Sequence, residues 1–95
     1  MITAEVSVVP IGVGTSESRA VKKFIEGLKK SGLKVFPGPM CTAIETERVE
    51  ELFDAIDEAH NDLFEEGFQR IITTIKIDDR RDKKSTIKHK LEAIA

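Results

Sequence analysis

Ile2, Ala4, Val6 and Val8 alternate with Thr3, Glu5, Ser7 and Val9, the two-residue period of a strand that buries one face. The period then changes. Val21, Phe24, Ile25 and Leu28 recur at helical spacing and predict a first helix that ends at Ser31-Gly32. Lys34–Phe36 and Met40–Glu45 read as two strands around the Pro37-Gly38-Pro39 turn. Val49, Leu52, Phe53, Ile56, His60, Leu63 and Phe64 form a second helical stripe, closed by Gly67. Ile71–Ile77 is β-branched almost throughout and lacks clean alternation, which predicts a strand buried on both faces. Ile87, Leu91 and Ile94 mark a short C-terminal helix within Thr86–Ala95. The order β-α-β-β-α-β predicts an α+β, ferredoxin-like fold: an antiparallel sheet with both helices on one face, in a single domain over residues 1–95.

Helix starts follow from local chemistry. Thr15 or Ser16 is placed to cap the first helix, with Glu17 in its first turn. Thr46 is the expected cap of the second, ahead of Glu47, Glu50 and Glu51.

Two helices on one face leave the other face of the sheet open. That face carries Thr3, Ser7 and Val9 from the first strand. The third strand adds either Cys41 and Ala43 or Met40, Thr42 and Ile44; the fourth adds Ile72, Thr74 and Lys76, or Thr73 and Ile75. Either set is too apolar for a free solvent surface, so the expectation is self-association through sheet faces into a dimer or tetramer.

Composition narrows the function classes. Net charge is −2, which gives no global reason to bind nucleic acid or an anionic membrane. No apolar run approaches the ~20 residues of a membrane span, and the chain opens on strand pattern rather than a leader, so a cytoplasmic protein is expected. Cys41 is the only cysteine, which excludes an internal disulfide or a multi-cysteine metal site. His60 and His89 show no metal-ligand spacing, so no metal is expected, and His60 on its apolar stripe reads as a core or interface residue. Asn61 and Gln69 are the only amide side chains against 15 basic and 17 acidic residues, a balance that suits a heat-adapted source.

Three segments offer binding chemistry. Gly12-Val13-Gly14-Thr15-Ser16 joins a strand to a helix; Gly14, Thr15 and Ser16 would serve an anion such as phosphate, although the longer nucleotide-loop fingerprints are absent. Lys76, Asp79, Arg80 and Arg81 lie in a dense, nearly neutral charge mixture suited to ion pairs between subunits or to a solvated loop. The third strand and its exit combine a hydroxyl at Thr42, carboxylates at Glu45 and Glu47, and apolar residues. There Thr42 suits a heteroaromatic ring, and either carboxylate suits a cation. No nucleophilic triad or acid–base pair can be drawn from spacing, so an enzyme is not expected and no cofactor is called for.

Val9-Pro10-Ile11-Gly12-Val13-Gly14-Thr15-Ser16, Pro39-Met40-x-Thr42-x-Ile44-Glu45 and Lys76–Lys83 together resemble the small prokaryotic thiamine-binding proteins of the YkoF-like type, in order and over nearly the whole chain. The resemblance implies a ferredoxin-like fold, assembly through sheet faces, and binding of thiamine or its hydroxymethylpyrimidine part without catalysis. Ser7, Thr42, Glu45 and Glu47 would supply the polar contacts, and Phe36, Met40 and Ile44 the walls. Relatives tend to carry glycine where this chain has Cys41 and Thr46, and side chains there would narrow the pocket. Without Trp or Tyr, aromatic contact with the cation is limited to Phe, so modest affinity is expected. An RNA-binding domain of the same topology is disfavoured by the acidic balance and the lack of strand aromatics. An acylphosphatase-like enzyme is disfavoured because the first loop has no arginine. A structural or regulatory oligomer that binds an anion at Gly12–Ser16 is the alternative reading.

Overall fold

The computed structural model describes residues 1–14 and 17–95. The elements are β1 (Ile2–Pro10), α1 (Glu17–Lys30), β2 (Lys34–Pro37), β3 (Thr42–Thr46), α2 (Val49–Glu65), β4 (Ile71–Asp79) and α3 (Ile87–Ile94). The sheet runs β2-β3-β1-β4 with every neighbouring pair antiparallel, the ferredoxin-like order read from the sequence. The expected caps at Thr15 and Ser16 lie outside the described residues.

Alternation in β1 holds along its length. Ile2, Ala4, Val6 and Val8 are buried against the helices, and Thr3, Glu5, Ser7 and Val9 face the other way. Pairing carries this parity into the neighbours. Ala4 sits opposite Ile44 and Ile77, so Thr42 and Ile44 join the helix-side core and Cys41, Ala43 and Glu45 take the open face. By the same rule Ile72, Thr74 and Lys76 belong to the open face, and Thr73, Ile75 and Ile77 to the helix side.

The helices sit closer together than the sequence stripes imply. The core face of α1 is Ala20, Phe24, Gly27 and Leu28, and that of α2 is Leu52, Ala55, Ile56, Ala59 and Leu63. Small residues at the crossing let the backbones approach: a Cβ on Gly27 would lie 2.9 Å from the Ala59 Cβ. The helices roll toward this contact. Val21 is therefore left more than a third exposed, and Phe53, His60 and Phe64 flank the core instead of entering it.

Three other expectations are corrected. β3 starts at Thr42, not Met40, because the Gly38 N–H donates to the Cys41 carbonyl at 2.9 Å and closes residues 38–41 as a turn. Met40 stands in that turn, 87% exposed. Thr46 does not cap α2. The N-cap is Arg48, whose side chain makes no capping bond, and the Thr46 hydroxyl accepts the Arg48 N–H at 3.4 Å one turn earlier. β4 is not buried on both faces but is an edge strand: α1 and α2 cover β1, β2 and β3 and reach β4 near its start, where His60 meets Thr73. Its β-branched composition reflects pairing with β1 over all nine residues. The end of α2 follows expectation. Gly67 adopts φ +102°, its N–H bonds the Phe64 carbonyl, and the Phe68 N–H reaches back to Leu63, the paired closure that favours glycine at this position.

The third helix is held on the open face of the sheet. Glu45, buried on that face, accepts the Ile87 N–H at 2.6 Å, and Lys90 pairs with Asp78 of β4. Thr86 caps α3 by accepting the His89 N–H at 3.1 Å. No residue of α3 is itself buried; Leu91 and Ile94 are 59% and 82% exposed.

Candidate ligand-binding site

The ladder between β1 and β3 ends at Val6 opposite Thr42, while β1 runs four residues further, paired only with β4. Past that point the chain opposite is the 38–41 turn, which peels away. The result is a gap between two strands, roofed by α1, that exposes one backbone edge of β1 beyond Val6. This cleft holds about 90 Å³. Val8, Phe24 and Ile25 form its apolar walls, and Pro39 and Met40 its outer rim. Thr42 brings a hydroxyl from the helix side, and Ser7 and Cys41 line the gap from strand positions whose side chains belong to the open face. Val21 and Ile25 continue from the cleft into a broad groove of about 600 Å³ along α1, which also carries Glu17, Lys22, Glu26 and Lys29. The arrangement offers one planar ring a mostly apolar slot with the Thr42 hydroxyl and strand backbone at its edge, and offers a longer ligand a charged shelf outside.

Of the seven residues expected to bind ligand, the structure brings Ser7, Met40 and Thr42 together here. Ile44 is fully buried in the core beside Ala4, and Phe36 lies on the open face beside Ala43. Glu45 is occupied at the start of α3. Glu47 lines a separate hollow with Arg80, Arg81, Lys83 and Lys84. The split has several causes: Glu45 faces the side of the sheet opposite to Thr42, Ile44 shares the face of Thr42 but lies further into the paired β1–β3 ladder, Phe36 belongs to β2, and Glu47 lies past the end of β3. Val8, Val21, Phe24 and Ile25 also line the cleft and are not among the residues expected from the sequence. The available signal was that Val21 and Ile25 widen the apolar arc of α1 beyond what its core face needs.

Cys41 Sγ lies 3.4 Å from Glu5 Oε2. Desolvation pushes the thiol pKa up, and the hydrogen bond to Glu5 and its charge add to the rise. At neutral pH the group is a thiol, because the neighbouring carboxylate opposes a second negative charge. Alkylation of Cys41 by iodoacetamide is therefore expected to be slow at pH 7 and to accelerate as pH rises. Glu5→Gln should speed it severalfold at pH 7; an unchanged rate would remove Glu5 from control of the thiol.

The other candidate segments are placed as follows. Gly12 and Gly14 both take positive φ, and the anion site drawn on Gly14, Thr15 and Ser16 falls partly outside the described residues. Arg81 pairs with Asp79 at 2.8 Å and Arg80 with Asp82 at 2.6 Å, within one chain and exposed to solvent. The hydrogen bond from Arg81 holds the Asp79 carboxyl below the usual carboxylate range, and that from Arg80 does the same for Asp82. Lys76 stands on the open face opposite Glu5. Nδ1 of His60 lies 2.9 Å from the Thr73 hydroxyl, with the ring edge-on to Phe64. Among the described residues no three His, Cys, Asp or Glu side chains converge as a metal site, and no helix is long and apolar enough to cross a membrane.

The chain is thus a ferredoxin-like α+β domain with a small, mostly apolar cleft at the frayed end of a central strand pair. Residues 4–95 match the thiamine-binding protein family model, and the chain belongs to that family. It is 43% identical to a UPF0045 protein of Methanocaldococcus jannaschii over 93 residues, 98% of this chain and 91% of that protein. It is 40% identical to the UPF0045 protein YqgV of Bacillus subtilis over 99 residues, 99% of this chain and 94% of that one. The crystal structure of the Methanocaldococcus protein superposes with a TM-score of 0.89, covering 98% of this chain and 94% of that chain. A Thermotoga maritima protein, provisionally assigned to thiamine biosynthesis or salvage, superposes with a TM-score of 0.83 at 26% identity, covering 99% and 98%.

Proposed function

We propose that this chain is a non-enzymatic binding protein for thiamine or its hydroxymethylpyrimidine half, and that the pyrimidine enters the cleft between β1 and the 38–41 turn. The observation that carries this reading is the early end of the β1–β3 ladder at Val6–Thr42, which opens strand backbone beside the Thr42 hydroxyl in an apolar slot. An aminopyrimidine presents alternating donors and acceptors on a flat ring, the pattern that a strand edge and a threonine hydroxyl satisfy. The family's description and the Thermotoga protein's provisional assignment to thiamine biosynthesis or salvage support the choice of ligand. The slot of about 90 Å³ takes a ring rather than a whole thiamine, so the thiazolium is left over the α1 groove near Glu17 and Glu26. Solvent-exposed carboxylates hold a cation weakly, consistent with modest affinity.

The protein works in this reading as a cytoplasmic homo-oligomer paired through its open sheet faces. Val9, Phe36 and Ile72 are exposed there, and the Leu91–Ile94 stripe of α3 stands beside them uncovered. An eight-residue helix without a buried residue is marginal alone, and a facing sheet would cover it.

Isothermal titration with thiamine, hydroxymethylpyrimidine and thiamine phosphate tests the ligand. Saturable binding of at least one is expected. Thr42→Val should weaken it about 5- to 10-fold, the worth of one hydrogen bond near 1 kcal/mol. Saturating ligand should also protect Cys41 from alkylation. No heat with any of the three in an intact fold would overturn the reading, and equal affinity of Thr42→Val would move the site elsewhere.

A further inference from the structure

We infer that the open face of the sheet carries a second ligand site, a hollow beneath α3 that takes a small zwitterion, an α-amino acid with a short side chain. Register places its parts. Thr3 of β1 sits between Glu45 of β3 and Asp78 of β4, and all three belong to the open face. α3 is tied to both ends of that row, by the Ile87 N–H to Glu45 and by Lys90 to Asp78, so its first turn bridges Thr3. The next open-face row along the strands is Ala43, Glu5 and Lys76. Ala43 has no side chain beyond Cβ, and the space it leaves runs back under α3 to Thr3. This hollow holds about 190 Å³. At ~30 Å³ per water that is room for roughly six waters, the heavy-atom count of a small amino acid.

Two observations point to a ligand. The first is the Thr3 hydroxyl. Its oxygen is buried without a hydrogen-bond partner, the only such side-chain atom among the described residues. Buried polar groups are ordinarily bonded, and one left alone is destabilising. Thr3 lines the hollow, so a molecule seated there comes within reach of the hydroxyl. The second is the arrangement of charge. Glu5 and Lys76 are directly opposite in the β1–β4 ladder, a position where unlike charges usually join. Here they form no ion pair. Lys76 has no carboxylate partner among the described residues, and Glu5 takes only the Cys41 thiol. The other two charges at the hollow, Asp78 and Lys90, satisfy each other.

The hollow therefore presents one carboxylate and one ammonium that are free to bind, with a hydroxyl behind them. A simple anion would gain Lys76 but face Glu5, and a simple cation would meet the reverse. A neutral molecule would leave both charges without a counterpart. A zwitterion answers both. Its ammonium donates to Glu5, and its carboxylate accepts from Lys76 and from the Thr3 hydroxyl. The four charged side chains sum to zero, which favours a ligand of zero net charge. None of the hollow's residues lines the cleft, and Val9, Phe36 and Ile72, on which the open-face contact rests, lie outside it. The site is thus independent of the thiamine reading and stands if that reading fails.

The experiment is a titration of the full chain with L-serine and L-alanine, followed by the amide shifts in its NMR spectrum. Propionate and ethylamine, each with one of the two charges, are the comparison ligands. At least one amino acid is expected to shift the amides of Thr3, Glu5, Ala43 and Lys76 saturably, with a Kd of about 1 mM or below. Propionate and ethylamine should bind at least about 10-fold more weakly, having lost a charged contact. Thr3→Val keeps the shape and removes the hydroxyl. It should weaken the amino acid about 5- to 10-fold while raising the melting temperature, because the orphaned group is gone. Lys76→Gln should weaken binding by a similar factor with an unchanged circular dichroism spectrum. No saturable shift at these residues with either amino acid up to ~50 mM would overturn the proposal. So would equal binding of propionate or ethylamine, or undiminished binding in Thr3→Val or Lys76→Gln. A lowered melting temperature in Thr3→Val would also overturn it, since the hydroxyl would then have a partner inside the fold.

Discussion

Gly27→Val is expected to destabilise the fold by about 2–3 kcal/mol, lowering the melting temperature by roughly 10–20 °C for a chain of this size. A Cβ at position 27 would lie 2.9 Å from the Ala59 Cβ, 3.0 Å from the Ala59 Cα and 3.3 Å from Asp62 Oδ2. Ala59 cannot rotate away, because the obstructing atoms are backbone and the first side-chain carbon. The helices would have to part, and Leu28 and Leu63, both fully buried, would lose contact on either side of the crossing. Replacing a helical glycine returns only a few tenths of a kcal/mol through valine's better helix propensity, too little to offset the clash. Urea unfolding at fixed protomer concentration measures the effect, since assembly makes the midpoint concentration-dependent. A midpoint equal to that of the unsubstituted chain would mean that the helices separate freely and that the close crossing contributes nothing.

Glu45→Ala is expected to release α3 and lower stability by about 2 kcal/mol while leaving ligand affinity unchanged. Glu45 is 7% exposed, and its carboxylate accepts the Ile87 N–H, one of the amides that a helix start cannot satisfy internally. A bond to a charged acceptor is worth about 1.5–3 kcal/mol, and a negative group at a helix start adds to it. Without Glu45 only the Lys90–Asp78 pair and the Thr86 cap hold a helix that buries no residue of its own. Hydrogen exchange should show α3 amides opening in Glu45→Ala, with Glu45→Gln intermediate because its amide oxygen still accepts. A fall in thiamine affinity with α3 intact would instead return Glu45 to the ligand site.

The difference between these two residues shows what was legible. Glu45 stands out in the sequence as a carboxylate in a strand ahead of the second helix, suited to a cation, whereas in the structure it accepts the Ile87 N–H at the start of α3. What it binds was not readable, because its partner lies 42 residues away. Gly27 carries no signal in a sequence, since a glycine inside a helical pattern looks only like a weak position. Its role exists only where α1 meets Ala59.

The cleft follows the same division. Of the residues singled out around Pro39–Glu45, Met40 and Thr42 line the cleft together with Ser7. Glu45 does not, because alternation sends it to the opposite face, which the pairing of Val6 with Thr42 decides; Ile44 lies deeper in the ladder on the face of Thr42, and Glu47 lies beyond β3.

The sequence by itself determined the order of elements, the buried face of β1, the glycine ending of α2 and the family. These depend on local period and turn chemistry, which act within a few residues. Only the tertiary structure decided the register of β3, the exposure of β4, the placement of α3 on the open face and the gap that makes the cleft. Each of these depends on contacts between distant segments, whose geometry follows from how closely two helices and four strands pack rather than from the period of any one of them.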